Sequence, residues 1–208
     1  MVLNRRRPAG FDYILQSGDE IRVCADLPLE WAVRGYESLR PDPPRPLRFV
    51  TDVHLGTLTR RLRLLGFDVL YANRSSDRRL AEISRRQHRM LLTRDRGLLM
   101  RKEVRYGMLI RNPDPDRQLE EVDRRLSLGE EDAPPLTRCL SCNGKLVVLP
   151  RDGELFERLA PAIPGDIRRF QERFKVCRQC RKVYWPGSHY SRLLGIIRRI
   201  RGSDFNGP

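Results

Sequence analysis

The stretch "RFVTDVHLGTLTRRLRLLGFDVLYA", residues 48–72, holds two short apolar runs on either side of a leucine-rich segment. "RFVTD" reads as a strand ending at Asp52, and "FDVLYA" as a second strand. Between them, Leu55, Leu58, Leu62 and Leu65 recur at helical spacing while Arg60, Arg61 and Arg63 fall elsewhere on the turn, which predicts an amphipathic helix closed by Gly66. A strand, a helix and a strand in succession form a parallel pair with the helix on one face.

The alternation continues toward the C-terminus. In "SSDRRLAEISRRQ" either Ser75 or Ser76 caps a helix carrying Leu80 and Ile83. A third strand, "RMLLTRD", is followed by a helix around "GLLMRKEVR", a fourth strand in "YGMLIR" and a last amphipathic helix over Gln118 to Leu128. The fold class is therefore α/β, a parallel sheet flanked by helices. Upstream, "RPDPPRPLR" places four prolines between Arg40 and Arg48 and reads as an extended linker. Before it, residues 11–24 alternate around "QSGD" and predict a hairpin with Gly18 in the turn.

A chain of 208 residues supports one real core and an appendage. It has no run near the roughly 18 apolar residues of a membrane span, and its first residues lack a signal peptide's apolar stretch, so a cytoplasmic protein with no membrane partner is expected. The net charge of +14, carried mostly by arginine, makes nucleic acid the leading partner, because the guanidinium fork grips phosphate bidentately. A GC-rich genome that writes arginine for any solvated cation is the plainer account of each single cluster.

Ligands of open parallel sheets bind where the strands end at their carboxyl edge. Asp52 and Asp95 each follow an apolar strand, and Asp77 opens the next helix near the same edge, where it alternatively serves as a cap. Three clustered carboxylates repel unless a cation lies between them, and Mg²⁺ or Mn²⁺ prefers such oxygen ligands. On an arginine-rich surface that site suggests phosphodiester hydrolysis. Taken singly, Asp95 is also a turn residue paired with its arginine neighbours. His54 and His88 show no partner pattern of a histidine-based nuclease, His88 being most simply a solvated helix end.

Of five cysteines, Cys139, Cys142, Cys177 and Cys180 form two C-x-x-C pairs, the spacing of thiolate knuckles around one structural Zn²⁺. Cys24 reads as a small apolar residue at a strand end. The pairs are separated by 34 residues, so the segment between them loops out, with helical pieces expected on either side of breaks at Pro161 and Pro164. Lys182, Tyr184, Trp185 and His189 put cations beside aromatics, suited either to stacking on unpaired bases or to covering the small module's core. The tail "SRLLGIIRRIRG" is a basic amphipathic helix that docks its apolar face or meets nucleic acid. Loss of the metal is expected to unfold residues after about 136 and to spare the rest.

"FVTDVHLGTLTRRLRLLGFDVLY", "LLTRDRGLL" and "CRQCRKVYWPGSH" together resemble the Mut-seven carboxy-terminal ribonuclease family, a PIN-like nuclease domain followed by a zinc ribbon, over about Phe49 to Leu193. The resemblance implies a metal-dependent RNase with Asp52, Asp77 and Asp95 at its centre, holding Mg²⁺ or Mn²⁺, and RNA as substrate. Such enzymes use three or four acids. Asp114 and Asp116 are candidates for the fourth, Asp116 ahead, though a surface turn accounts for both; Asp68 belongs at the opposite edge of the sheet. "RPAGFDYILQSGDEIRV" is similar to the closing part of a ubiquitin-like domain that precedes this nuclease in relatives, which implies a start at an internal methionine or a decayed gene.

The expected organisation is a ubiquitin-like remnant over 1–40, a linker over 41–47, a PIN-like nuclease domain over 48–130, a zinc-ribbon module over 136–193 and a basic tail over 194–208. Two other readings compete with a ribonuclease: a catalytically weak RNA-binding or ribosome-associated adaptor, and a DNA nuclease built on the same residues. A pure binder of a polyanion has no use for carboxylates in its groove.

Overall fold

The computed structural model describes residues 2–3, 16–17, 21–22, 43–71, 75–129, 133–203 and 205. The chain forms two compact units, Met1–Pro43 and Pro44–Pro208. In the first, β1 (Val2–Leu3) pairs antiparallel with β2 (Ile21–Arg22), Val2 opposite Arg22 and Leu3 opposite Ile21. The expected turn at Gly18 and Cys24 both lie outside the described residues.

The second unit is built on β3 (Arg48–Thr51), β4 (Asp68–Tyr71), β5 (Met90–Thr93) and β6 (Gly107–Leu109), all parallel and ordered β4-β3-β5-β6. Both faces are covered, which is why the strands read as continuous apolar runs. Phe49, Val69, Leu92 and Met108 face one core, while Val50 and Leu91 face the other.

After a 3-10 turn at Val53–Leu55, α1 (Gly56–Leu64) carries the leucine stripe. Leu55, Leu58, Leu62 and Leu65 are all fully buried, each contributing about 1.5–3 kcal/mol of transfer free energy. Gly66 ends the helix at φ +93°, and a Cβ there would lie 2.0 Å from the carbonyl oxygen of Pro134. Ser76, not Asp77, caps α2 (Asp77–Gln87) by accepting from the Arg79 N–H at 3.4 Å.

The helix expected around residues 97–105 stops early, as α3 (Arg96–Leu99). Beyond Leu99 the chain tightens through Met100 N–H to Gly97 O and Arg101 N–H to Leu98 O, because it has no apolar face to continue on: Met100 is 85 % exposed and Arg101, Lys102 and Glu103 follow. Conversely α4 (Pro115–Leu126) starts before Gln118, since Asp114 accepts from the N–H groups of Asp116 (2.7 Å) and Arg117 (3.1 Å) and Pro115 suits the first turn.

β7 (Leu146–Val148), β8 (Lys175–Cys177) and β9 (Val183–Tyr184) form a separate antiparallel sheet in that order. Between β7 and β8 run α5 (Glu154–Leu159), a 3-10 turn at Ala160–Ala162 and α6 (Gly165–Phe170), the breaks falling at Pro161 and Pro164. Phe156, Ile163, Phe174 and Val176 centre a small core there, against which Trp185 packs edge-on to Phe174. The last helix, α7 (Tyr190–Arg201), returns to the parallel sheet and buries Ile197 completely in its core. Arg201 fixes it there by donating to the carbonyls of Leu65, Leu128 and Ala133. Among the described residues no helix is long and apolar enough to cross a membrane.

Candidate active site and metal centre

The chain leaves β3 for β4 on one side and then crosses from β4 to β5 on the other, so the order reverses at β3 and β5 and a crevice opens beyond their carboxyl ends. Asp52 and Asp95 both stand there. Asp52 is only 5 % exposed, and its charge is compensated by three donors. The His54 N–H reaches Oδ1 at 2.8 Å, while the Thr93 hydroxyl and the Arg94 N–H (3.1 Å) reach Oδ2. Thr93 also accepts from the Asp95 N–H at 2.9 Å, so one hydroxyl ties the two acidic loops together.

Asp95 caps α3 through Oδ1, which accepts from Gly97 N–H (2.7 Å) and Leu98 N–H (3.4 Å). Its Oδ2, and the carboxylate of Asp77, make no hydrogen bond among the described residues. All three acids line one depression of about 100 Å³, together with His54 and Ser75. Their oxygens surround the space without converging as tightly as the cysteine sulfurs do; among the described residues only the cysteines form so close a ligand group. The oxygens that Asp77 and Asp95 leave without a protein partner are of the type that Mg²⁺ or Mn²⁺ prefers as ligands.

Neither candidate for a fourth acid, Asp114 or Asp116, lines the depression. Asp116 pairs with Arg61 (3.1 Å) and Arg199 (3.3 Å), joining α4 to α1 and α7, and Asp114 is occupied as a helix cap. Glu121, also buried, accepts from the N–H groups of Arg111 (3.1 Å) and Asn112 (3.2 Å) and stabilises the loop after β6. Asp68 begins β4 at the amino-terminal edge, opposite the crevice. Burial raises the Asp68 carboxyl, but hydrogen bonds from Arg89 (2.9 and 3.0 Å) and Asn143 (2.7 Å), with the charges of Arg89 and Arg138, together hold it below the ordinary carboxylate range. His88 terminates α2 in the left-handed region, and His189 precedes α7 without capping it through its side chain.

The four expected cysteines come together from two matching turns. Cys139 and Cys177 each accept, at sulfur, the N–H of the cysteine three residues on, at 3.5 Å. Asn143 (φ 72°) and Arg181 (φ 61°) then turn the chain back in the left-handed conformation, and N–H to O bonds from Cys139 to Gly144 and from Cys177 to Lys182 close each turn. Gly144 is required by contact: a Cβ there would sit 2.8 Å from the Cys177 sulfur. All four sulfurs lie within 4.8 Å of one another, with pairs at 3.6 Å (Cys139–Cys180) and 3.4 Å (Cys142–Cys177). A zinc ion bonded tetrahedrally to four thiolates at about 2.3 Å places them about 3.8 Å apart, so the cluster can hold that ion with little adjustment.

Tyr184 reaches into this centre, its hydroxyl lying 3.1 Å from the Cys139 sulfur. Burial opposes ionisation of Cys139, yet the Tyr184 hydroxyl and the surrounding N–H groups bring its thiol down to about 6. Burial pushes Cys142 up to about 12, with the neighbouring thiols adding to it. A divalent cation resolves that conflict by letting all four ionise together.

Two side chains with no signal in the sequence join the cysteine turn to β4. Arg63, 5 % exposed, donates through Nε and Nη2 to Val69 O (3.1 and 2.8 Å) and through Nη1 to Leu140 O (3.1 Å) and Ser141 O (2.9 Å). Asn143 accepts from the Val69 N–H at 3.0 Å and donates to Asp68. Only their partners reveal their function, and those lie more than 70 residues away on one side.

No curated protein and no solved structure matches the chain. Residues 47–197 match the Mut7-C RNAse domain, a span that takes in the acidic depression, both cysteine pairs and most of α7. With well over half of its length so matched, the chain belongs to the Mut7-C RNAse domain family.

Proposed function

We propose that this chain is a divalent-metal-dependent ribonuclease whose centre is Asp52, Asp77 and Asp95. The observation that carries the reading is the convergence of those acids, from three separate elements, on one depression at the switch point of the sheet, in a chain of an RNase family. Mg²⁺ or Mn²⁺ held there would supply an activated water and offset charge on the phosphate oxygens. The protein's part is positioning. Thr93 and the Arg94 N–H hold the Asp52 carboxylate in one orientation, and the cap on α3 holds Asp95. Zn²⁺ on Cys139, Cys142, Cys177 and Cys180 has a structural part, since four thiolates leave no coordination position for chemistry. We divide the second unit accordingly into a PIN-like nuclease domain over 48–130 and a zinc-ribbon module over 136–193. Four free cysteines committed to a metal suit a reducing compartment such as the cytoplasm.

The cleanest test uses Asp95→Asn and Asp77→Asn. Asn caps a helix about as well as Asp, so Asp95→Asn removes charge while keeping the cap, and Ser76 already caps α2. Each variant should lose Mn²⁺-dependent cleavage of a single-stranded RNA by roughly a hundredfold or more, with melting temperature and RNA affinity near wild type. A DNA oligomer of the same sequence, run beside it, separates ribonuclease from DNA nuclease. Full activity in both variants would place the centre elsewhere, and RNA binding without cleavage by the wild type would make the chain an adaptor.

A further inference from the structure

Beside the acidic depression lies a wider, open cleft of about 470 Å³ lined by His54, Arg94, Asp95 and Arg96. The two hollows share His54 and Asp95. Arg94 and Arg96 flank Asp95 in sequence, the natural arrangement for local ion pairs, yet Asp95 turns its Oδ1 to the N–H groups of Gly97 and Leu98 instead. Both arginines are exposed, and among the described residues neither guanidinium is engaged in an ion pair or hydrogen bond. Elsewhere arginines hold the fold: Arg63, Arg89 and Arg201 all grip main-chain carbonyls. Arg94 and Arg96 do no such work, and they stand in a concave surface next to three carboxylates that repel any polyanion.

We propose that this cleft is a binding subsite for the phosphate group of the nucleotide adjoining the scissile bond, gripped by Arg94 and Arg96, with His54 forming the wall between that phosphate and the metal-binding acids. The location of the scissile bond rests on the ribonuclease reading; the phosphate site itself rests on the cleft. Two unpaired guanidinium forks match the oxygens of a phosphodiester and compensate the charge the acids present. The subsite thus orients the strand so that the next phosphate enters the acidic depression.

The test compares wild type with the double variant Arg94→Ala/Arg96→Ala, using a fluorescein-labelled single-stranded RNA and oligomers in which an uncharged methylphosphonate replaces one phosphate on either side of the cleavage position. Since neither guanidinium supports the fold, the melting temperature should not move. The double variant should raise KM about tenfold with kcat within about twofold, as expected for lost charge-assisted hydrogen bonds that bind ground and transition states alike. Without added Mg²⁺ or Mn²⁺, it should bind the RNA about tenfold more weakly, and its logarithmic salt slope should be shallower by about 0.7 for one phosphate. One of the two methylphosphonates should weaken wild-type binding by the same factor and leave the double variant unaffected. Unchanged KM and affinity in the double variant, a fall in kcat alone, or equal penalties from the methylphosphonates in both proteins would each overturn the proposal. If the wild type does not cleave RNA at all, the ribonuclease reading fails, while the affinity and salt-slope measurements still decide whether the cleft binds phosphate.

Discussion

Asp52 is held in place by three protein donors. Two main-chain N–H groups and the Thr93 hydroxyl compensate a carboxylate that is almost wholly buried. Thr93→Val keeps the β-branched shape suited to a strand but deprives Asp52 and the Asp95 N–H of their shared partner. It should cost about 1–3 kcal/mol in denaturant unfolding and slow cleavage, and Thr93→Ser should restore both. Asp68 makes a separate prediction about pH. Its folded-state carboxyl titrates below the ordinary value because Arg89 and Asn143 stabilise the charged form against burial. Its contribution is therefore complete above the unfolded value of about 4 and is lost as pH falls through the lower folded value. Asp68→Asn should be less stable than wild type at pH 7, with the gap narrowing below about pH 4 in urea unfolding; a gap independent of pH would deny Asp68 that part.

Elements whose apolar residues repeat locally were legible in advance. The stripe of Leu55, Leu58, Leu62 and Leu65, the strand ends at Asp52 and Asp95, the helix break at Pro161 and Pro164 and the four-cysteine cluster all follow from spacings within a few residues. Leu62→Ala, at the centre of that stripe, should destabilise by about 2–5 kcal/mol, measurable as a lower midpoint in urea at unchanged slope. What escaped depends on contacts between distant segments. The truncation of α3 reflects the apolar surface missing after Leu99, and the return of α7 depends on a site for Ile197 that Leu62 and its neighbours create only in three dimensions. Tyr184 and Trp185 could equally have faced bases or core; Tyr184 meets Cys139 and Trp185 meets Phe174, and neither choice is written in the local pattern. The placement of Asp52 and Asp95 beyond strand ends was legible, whereas Thr93, which bonds to both of their loops, looked like one more strand residue.

At the scale of the whole molecule, hydrogen bonds tie the cysteine turn to the parallel sheet, which argues that metal loss reaches the sheet as well as the residues after 136. The turn that places Cys139 and Cys142 also presents Leu140 O and Ser141 O to Arg63, and the next residue, Asn143, bonds the Val69 N–H on edge strand β4. Burial disfavours the Arg63 charge, and the Cys139 and Cys142 thiolates are the first groups that relieve it. Removing the metal frees the turn, which takes from Arg63 its carbonyl partners at Leu140 and Ser141. Zinc binding to such thiolate sites is worth about 10–16 kcal/mol, enough for its loss to reach the sheet through these bonds. Chelation should therefore lower the melting temperature of the parallel-sheet domain and speed hydrogen exchange at the Val69 amide, not only melt the residues after 136. Asn143→Gly separates the two parts, because glycine accepts the left-handed backbone at φ 72° while deleting the amide. That variant should still bind one zinc, yet its Val69 amide should exchange quickly with the metal present and change little on chelation. Val69 protection in the wild type that survives complete zinc removal would mean that the two sheets share a boundary without sharing stability.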